Sequence, residues 1–139
     1  DLHISISHSG PYAACAFGDK PVGIDIEMWR THPKWQRIVD KMHPREREAM
    51  TRLCGGTISR DTAEPVRQFC DLWVRKESFL KAVGEGLRLS LDAFDTTGDM
   101  VIQELREGRW YIKSWQLPEE ALSVAVCGQE ELEFSRLVW

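Results

Sequence analysis

Polar and apolar residues alternate along His3-Ile4-Ser5-Ile6-Ser7-His8-Ser9-Gly10, with Ile4 and Ile6 set against Ser5 and Ser7. A period of two predicts a half-buried strand, and Gly10-Pro11 supplies the turn that closes it. His8 and Ser9 then stand at the strand's end, where chains tend to carry function. The apolar run from Tyr12 to Phe17 predicts a second strand, ended by the turn Gly18-Asp19-Lys20-Pro21. In Val22-Gly23-Ile24-Asp25-Ile26-Glu27 the period of two returns, with Val22, Ile24 and Ile26 on one face and Gly23, Asp25 and Glu27 on the other.

Past Glu27 the texture changes to a loop and an irregular amphipathic helix carrying Trp29, Pro33, Trp35, Ile38, Val39 and Met42. Pro44-Arg45-Glu46-Arg47-Glu48 starts a new helix, with proline in the first turn, running to about Leu53. Cys54-Gly55-Gly56 to Glu64-Pro65 is a polar connector, expected to be the mobile segment. A long helix opens on Pro65 and stops at Gly84 and Gly86. Strands are then predicted at Leu89-Ser90-Leu91, Met100–Ile102, Arg109–Trp115 and Ala121–Cys127, separated by the turns Thr97-Gly98-Asp99, Glu107-Gly108 and Pro118-Glu119-Glu120. This order predicts an α+β fold, a mainly antiparallel sheet packed on one long helix plus shorter helices.

The long helix holds the chain's oddest pattern. Phe69, Leu72, Trp73, Leu80, Val83 and Leu87 make one apolar stripe, yet Lys76 falls inside it, and Glu77 and Lys81 sit on its shoulder one turn apart. A charge in a buried stripe is costly unless something pairs it, so the helix requires a partner elsewhere in the chain. A Glu–Lys pair at this spacing is also a common surface ornament worth a few tenths of a kcal/mol.

Composition narrows the class. With 139 residues, 42% hydrophobic and 29% charged, residues 1–139 have the balance of one soluble domain. A net charge of −4 excludes the global basic footprint of nucleic-acid binders. Locally, Arg30 to Arg52 carries seven Lys/Arg against three Asp/Glu, either a solvated face or a landing place for an acidic partner. Cys15, Cys54, Cys70 and Cys127 form no C-x-x-C pair and the histidines no H-E-x-x-H. Free thiols in a reducing cytoplasm are therefore expected, and no apolar run is long enough to span a membrane.

Carboxylates two apart on a strand are separated by about 6.5 to 7 Å, close enough to share one cation. Asp25 and Glu27 are thus either a solvated polar face or a metal-binding pair. Joined with Glu77 they suit magnesium, which takes few protein carboxylates and completes its shell with water and phosphate oxygens. Lys76 and Lys81 would then neutralise phosphate charge.

Ile6-Ser7-His8-Ser9-Gly10, Val22-Gly23-Ile24-Asp25-Ile26-Glu27 and Trp73-Val74-Arg75-Lys76-Glu77-Ser78-Phe79-Leu80-Lys81 with Gly84-Glu85-Gly86-Leu87 together resemble the 4'-phosphopantetheinyl transferases of the two-lobed, surfactin-synthetase-activating type. The similarity extends through Leu91-Asp92-Ala93-Phe94, Tyr111-Ile112-Lys113 and Val124-Ala125-Val126-Cys127. It implies one lobe of that fold and transfer of 4'-phosphopantetheine from coenzyme A to a serine of an acyl or peptidyl carrier protein. By match, Asp25, Glu27 and Glu77 hold Mg²⁺; Glu77 is the candidate general base, and Lys81 the acid or charge stabiliser. Ser7, His8, Arg30 and Lys76 match phosphate-contacting positions, Arg30 standing where a lysine is more usual, and Glu46 matches another acidic site residue. Only the second lobe is resembled. The chain is therefore expected to bind coenzyme A poorly unless a first lobe, or a second copy, fills the cleft. A non-catalytic carrier-binding lobe and a metal-dependent phosphodiesterase are the alternatives.

Overall fold

The computed structural model describes residues 1–30, 34–53, 63–84, 88–102 and 108–130. Its strands are β1 (His3–Ser9), β2 (Tyr12–Gly18), β3 (Val22–Met28), β4 (Met100–Ile102), β5 (Arg109–Leu117) and β6 (Leu122–Gly128). Its helices are α1 (Trp35–Asp40), α2 (Pro44–Leu53) and α3 (Ala63–Val83). Four strands form an antiparallel sheet in the order β3-β6-β5-β4, with Asp25 and Ser114 both opposite Ala125, while β1 and β2 form a separate hairpin. The α+β class and antiparallel pairing read from the sequence hold.

Central position explains why β6 is buried at every residue, apolar but for Ser123 and the closing Gly128. On one side α3 contributes Val74, Phe79, Leu80, Ala82 and Val83, packed against Trp110, Ile112, Ala125 and Cys127 of the sheet. The Phe79 and Phe94 rings lie 4.6 Å apart at its centre. On the other side Ile24, Ile26, Val124 and Val126 meet Tyr12, Ala14 and Ala16 of the hairpin. A third cluster, Trp35, Val39, Met42, Met50, Phe69 and Cys70, fastens α1 and α2 to the first half of α3. Burial pushes the Cys70 and Cys127 thiols up to about 12, so both remain protonated. No described helix is long and apolar enough to cross a membrane.

Helix ends follow their local chemistry. His43 precedes Pro44; its Nδ1 accepts the Arg45 N–H, and Glu46 reaches back to accept the His43 N–H at 3.1 Å, the reciprocal arrangement of a capping box. α3 begins at Ala63, two residues before the predicted start, because Pro65 in a first turn has no intrahelical N–H bond to lose. It ends on Gly84 at φ +71°.

Two expectations change. Leu89-Ser90-Leu91 is no strand: Leu89 plugs the core beside α3, and the chain turns through the Ala93 N–H to Ser90 carbonyl bond. In β1 the alternation is present but inverted. Ser5, Ser7 and Ser9 face inward, and Ile4 and Ile6 face solvent. The reason lies in β3, the outermost strand of the sheet, whose outward N–H groups need acceptors. Ser5 Oγ accepts from Ile24 at 3.0 Å, Ser7 Oγ from Ile26 at 3.2 Å and Ser9 Oγ from Met28 at 3.1 Å. Isoleucine offers no acceptor, so satisfying buried backbone donors outranks burying two apolar side chains. The tight turn at Gly10-Pro11, with Gly10 at φ +55°, then returns the chain as β2. The predicted connector from Cys54 lies outside the described residues up to position 62, as does Leu87 of the stripe.

Candidate active site

The candidate site forms where β3 crosses α3, and Gly23 permits the crossing. A Cβ at Gly23 would stand 2.0 Å from the Ser78 carbonyl oxygen and 2.6 Å from the Ala82 nitrogen, both backbone atoms of α3. Glycine alone lets strand and helix approach this closely. The side chains one turn along each element are thereby brought together. Lys81 Nζ lies 3.1 Å from Asp25 Oδ1 and also donates to the carbonyls of Ile24 at 2.9 Å and Ile6 at 3.3 Å. Ser7 Oγ donates to the same Asp25 oxygen at 2.9 Å. One ammonium and one hydroxyl thus join β1, β3 and α3 around a carboxylate that is only 8% exposed.

Burial raises the Asp25 pKa, and Lys81 and Ser7 pull it part of the way back. Glu77, half-buried one turn before Lys81, is raised by burial and then by the charges of Asp25 and Glu27. Three carboxylates therefore share a region in which Lys81 is the cation paired with Asp25. Among the described residues no group of three ligating side chains is drawn close enough to hold a metal ion. The donors are hard anionic oxygens that repel one another, so in kind they fit Mg²⁺.

The remaining predicted residues separate. Arg30 stays with the site, its Nε 3.7 Å from Glu27 Oε1, and both line a cavity of about 30 Å³ with Phe69, Cys70 and Trp73. His8 points away from Ser7, on the outer face of the hairpin opposite Ala13. Lys76 is fully buried, its ammonium 2.6 Å from Glu46 Oε1 and 2.9 Å from the Phe94 carbonyl. It has no surface to offer a phosphate, and Glu46 is its partner inside the protein.

Sequence reading missed Gly23 as an organiser, although a glycine inside a strand signals a close approach. It also missed Arg75. That guanidinium bonds the Thr96 carbonyl, Ser114 Oγ and the Gly98 carbonyl at 2.7, 2.7 and 2.5 Å, holding the segment before β4 against α3. No sequence spacing announces it. Ser7→Ala should leave the Ile26 N–H without its acceptor and Asp25 without one donor, at a cost of about 1–3 kcal/mol. Urea denaturation, with Ser9→Ala as the milder comparison, checks this.

A family model described as the 4'-phosphopantetheinyl transferase superfamily matches residues 21–129, from the strand bearing Asp25 through α3 to the end of β6. The chain belongs to that superfamily. The 4'-phosphopantetheinyl transferase Sfp of Bacillus subtilis (strain 168) is 34% identical over 132 residues, covering 91% of this chain and 55% of its own length. A second 4'-phosphopantetheinyl transferase of Bacillus subtilis is 36% identical over 138 residues with the same coverage. The 4'-phosphopantetheinyl transferase gsp of Aneurinibacillus migulanus is 32% identical over 94 residues, 68% of this chain. The chain thus spans about half the length of the first two of these phosphopantetheinyl transferases, 55% in each.

Proposed function

We propose that this chain carries the carboxylate and lysine part of a 4'-phosphopantetheinyl transferase site, which moves 4'-phosphopantetheine from coenzyme A to a serine of an acyl or peptidyl carrier protein. The observation that carries the reading is the group formed by Asp25, Lys81 and Glu77 across the β3–α3 contact, within the segment that matches the family. In the transfer, the serine oxygen bonds to the phosphorus that bears pantetheine, and the bridging P–O bond to the adenosine bisphosphate breaks. Glu77, its pKa raised by burial and by the neighbouring charge of Asp25, accepts the serine proton directly or through a water. Lys81 leaves Asp25 to neutralise the charge that gathers on the departing phosphate. Asp25, Glu27 and Glu77 would hold Mg²⁺, which when bound supplies charge neutralisation at the pyrophosphate. In this reading Ser7 holds Asp25, Arg30 faces the phosphates from beside Glu27, and His8, on the outer face of the hairpin, lies outside the set. A cytoplasmic setting follows from the substrates.

Incubating the chain with coenzyme A, Mg²⁺ and an apo carrier tests this by mass spectrometry of the carrier. A phosphopantetheine adduct that disappears in Glu77→Gln supports the reading. Complex formation without an adduct would make the chain a binding lobe, and cleavage of phosphodiesters without carrier modification would make it a phosphodiesterase.

The outer face of the hairpin supports a contact with a companion lobe. Leu2, Ile4, Ile6 and Phe17 lie 57–75% exposed, and Ile4 and Ile6 share their face with Phe17, Cys15, His8 and Ala13, with no Asp, Glu, Lys or Arg among them. An apolar patch of this kind on a soluble chain marks a contact surface. Its occupant in the proposal is a companion lobe equivalent to the half of the relatives that the chain does not span. Phe17→Asp is expected to change stability by no more than about 0.5 kcal/mol. It should abolish binding of the relatives' other half supplied as a separate polypeptide, measured by calorimetry; unchanged binding would remove this surface from the proposal.

A further inference from the structure

Lys76 and Glu46 are both completely buried, on α3 and α2. Their polar atoms are spent inside the protein. Lys76 Nζ serves Glu46 and the Phe94 carbonyl and lies 3.8 Å from the centre of the Phe94 ring. Glu46 Oε1 accepts from Lys76 and from the His43 N–H. Its Oε2 accepts the Thr96 N–H at 3.2 Å and the Thr96 hydroxyl at 2.5 Å. Burial lowers the Lys76 pKa, and Glu46 opposes that shift.

Buried ion pairs are a poor source of net stability, since apolar replacements of similar volume often match them; where such pairs have an attested use, it is in fixing a unique arrangement. The position of this pair gives that use a target. Two residues on from Lys76, and so about 200° around the helix, the Ser78 carbonyl faces the closest approach of Gly23. One turn of α3 is gripped on one side by β3 and on the other by α2 and residues 94–96. Glu77 leaves between the two grips, and Lys81 follows one turn later.

We propose that Glu46 and Lys76 are a positioning pair that sets the rotation of α3, and with it the placement of Glu77 and Lys81 over Asp25, and that neither touches substrate. The proposal rests on the transferase reading for its effect on turnover, and on the fold alone for its effect on the helix.

The test uses the 139-residue chain with Lys76→Met, Glu46→Gln and both together. Lys76→Met alone strands a buried carboxylate and should destabilise strongly, whereas the double variant, which buries no net charge, should recover most of the melting temperature. In the double variant, without any cofactor, hydrogen exchange at the amides of residues 76–81 should accelerate about tenfold relative to the rest of α3. Its kcat should fall by about 10–100-fold with the KM for coenzyme A held within about twofold. Thr96→Val, which removes one bond to Glu46 at nearly constant volume, should move exchange and kcat in the same direction by less. Normal exchange and normal kcat in a folded double variant would overturn the proposal. So would a tenfold rise in KM at unchanged kcat, which would return Lys76 to the phosphate. If the unaltered chain transfers nothing even with a companion lobe, the transferase reading fails, and the exchange measurement still decides the positioning claim.

Discussion

Gly23→Ala should lower the stability of the chain by about 3 kcal/mol and its melting temperature by roughly 10 °C. The added carbon would overlap the Ser78 carbonyl oxygen at 2.0 Å and the Ala82 nitrogen at 2.6 Å. Neither atom can swing aside as the tip of a side chain would, because both belong to the hydrogen-bonded backbone of α3. The helix must therefore separate from β3, thinning the core contributed by Phe79, Ala82 and Val83. The same displacement carries Lys81 away from Asp25, so the proposed transfer should be lost even where the variant stays folded. Ala82→Gly in the Gly23→Ala background would relieve little, since the nearer obstacle is the Ser78 carbonyl. A melting temperature within about 2 °C of the parent would show that the crossing is looser than drawn.

Glu77→Gln is the second large effect, and it should act in opposite directions on activity and stability. In the proposed transfer Glu77 accepts the serine proton, and loss of such an acceptor typically costs about 100-fold or more in rate. Stability without divalent cations should instead rise. Glu77 and Asp25 have folded pKa values above their ordinary 4.5 and 3.8. An acid raised in this way binds its proton more tightly in the folded than in the unfolded chain. Its contribution is therefore fully present below the ordinary value and is lost as pH rises through the raised one. Glutamine imitates the protonated form at every pH, so the variant should keep what the parent loses. Urea midpoints measured from pH 4 to pH 8 should fall less steeply for Glu77→Gln than for the parent. A steeper fall would mean that Glu77 is stabilised as a carboxylate, contrary to its surroundings. Trading stability for a strained, functional charge is common at active sites.

Local periodicity made much of the fold legible. Strands β2, β3, β5 and β6 and helices α2 and α3 fall where alternation, proline and glycine place them. Leu89 shows the limit, since an isolated apolar pair resembles a short strand whether it pairs or merely plugs a core. β1 shows a subtler one. Its period of two is real, but which face turns inward depended on the unpaired N–H groups of a strand nineteen residues later. The candidate site was legible as several residue types at fixed spacing, and of these the fold brings Lys81 to 3.1 Å from Asp25. Lys76 was marked correctly as an anomaly in the apolar stripe. Its partner was not legible, because Glu46 lies thirty residues away and meets it only after α2 has packed on α3. Pairing between distant residues leaves no trace in the spacing of either.

The inward serines of β1 have a consequence for how the chain behaves in company. β3 ends the four-stranded sheet, and a terminal strand with free backbone groups is a template on which another chain can add a strand and begin to aggregate. Here the N–H groups of Ile24, Ile26 and Met28 are occupied by three hydroxyls, and the carbonyl of Ile24 by the Lys81 ammonium. Strand addition at β3 would first have to strip the hairpin away and take the lysine off its carbonyl. The residues that tie β1 and α3 to β3 thus also deny β3 as a seed for fibril growth.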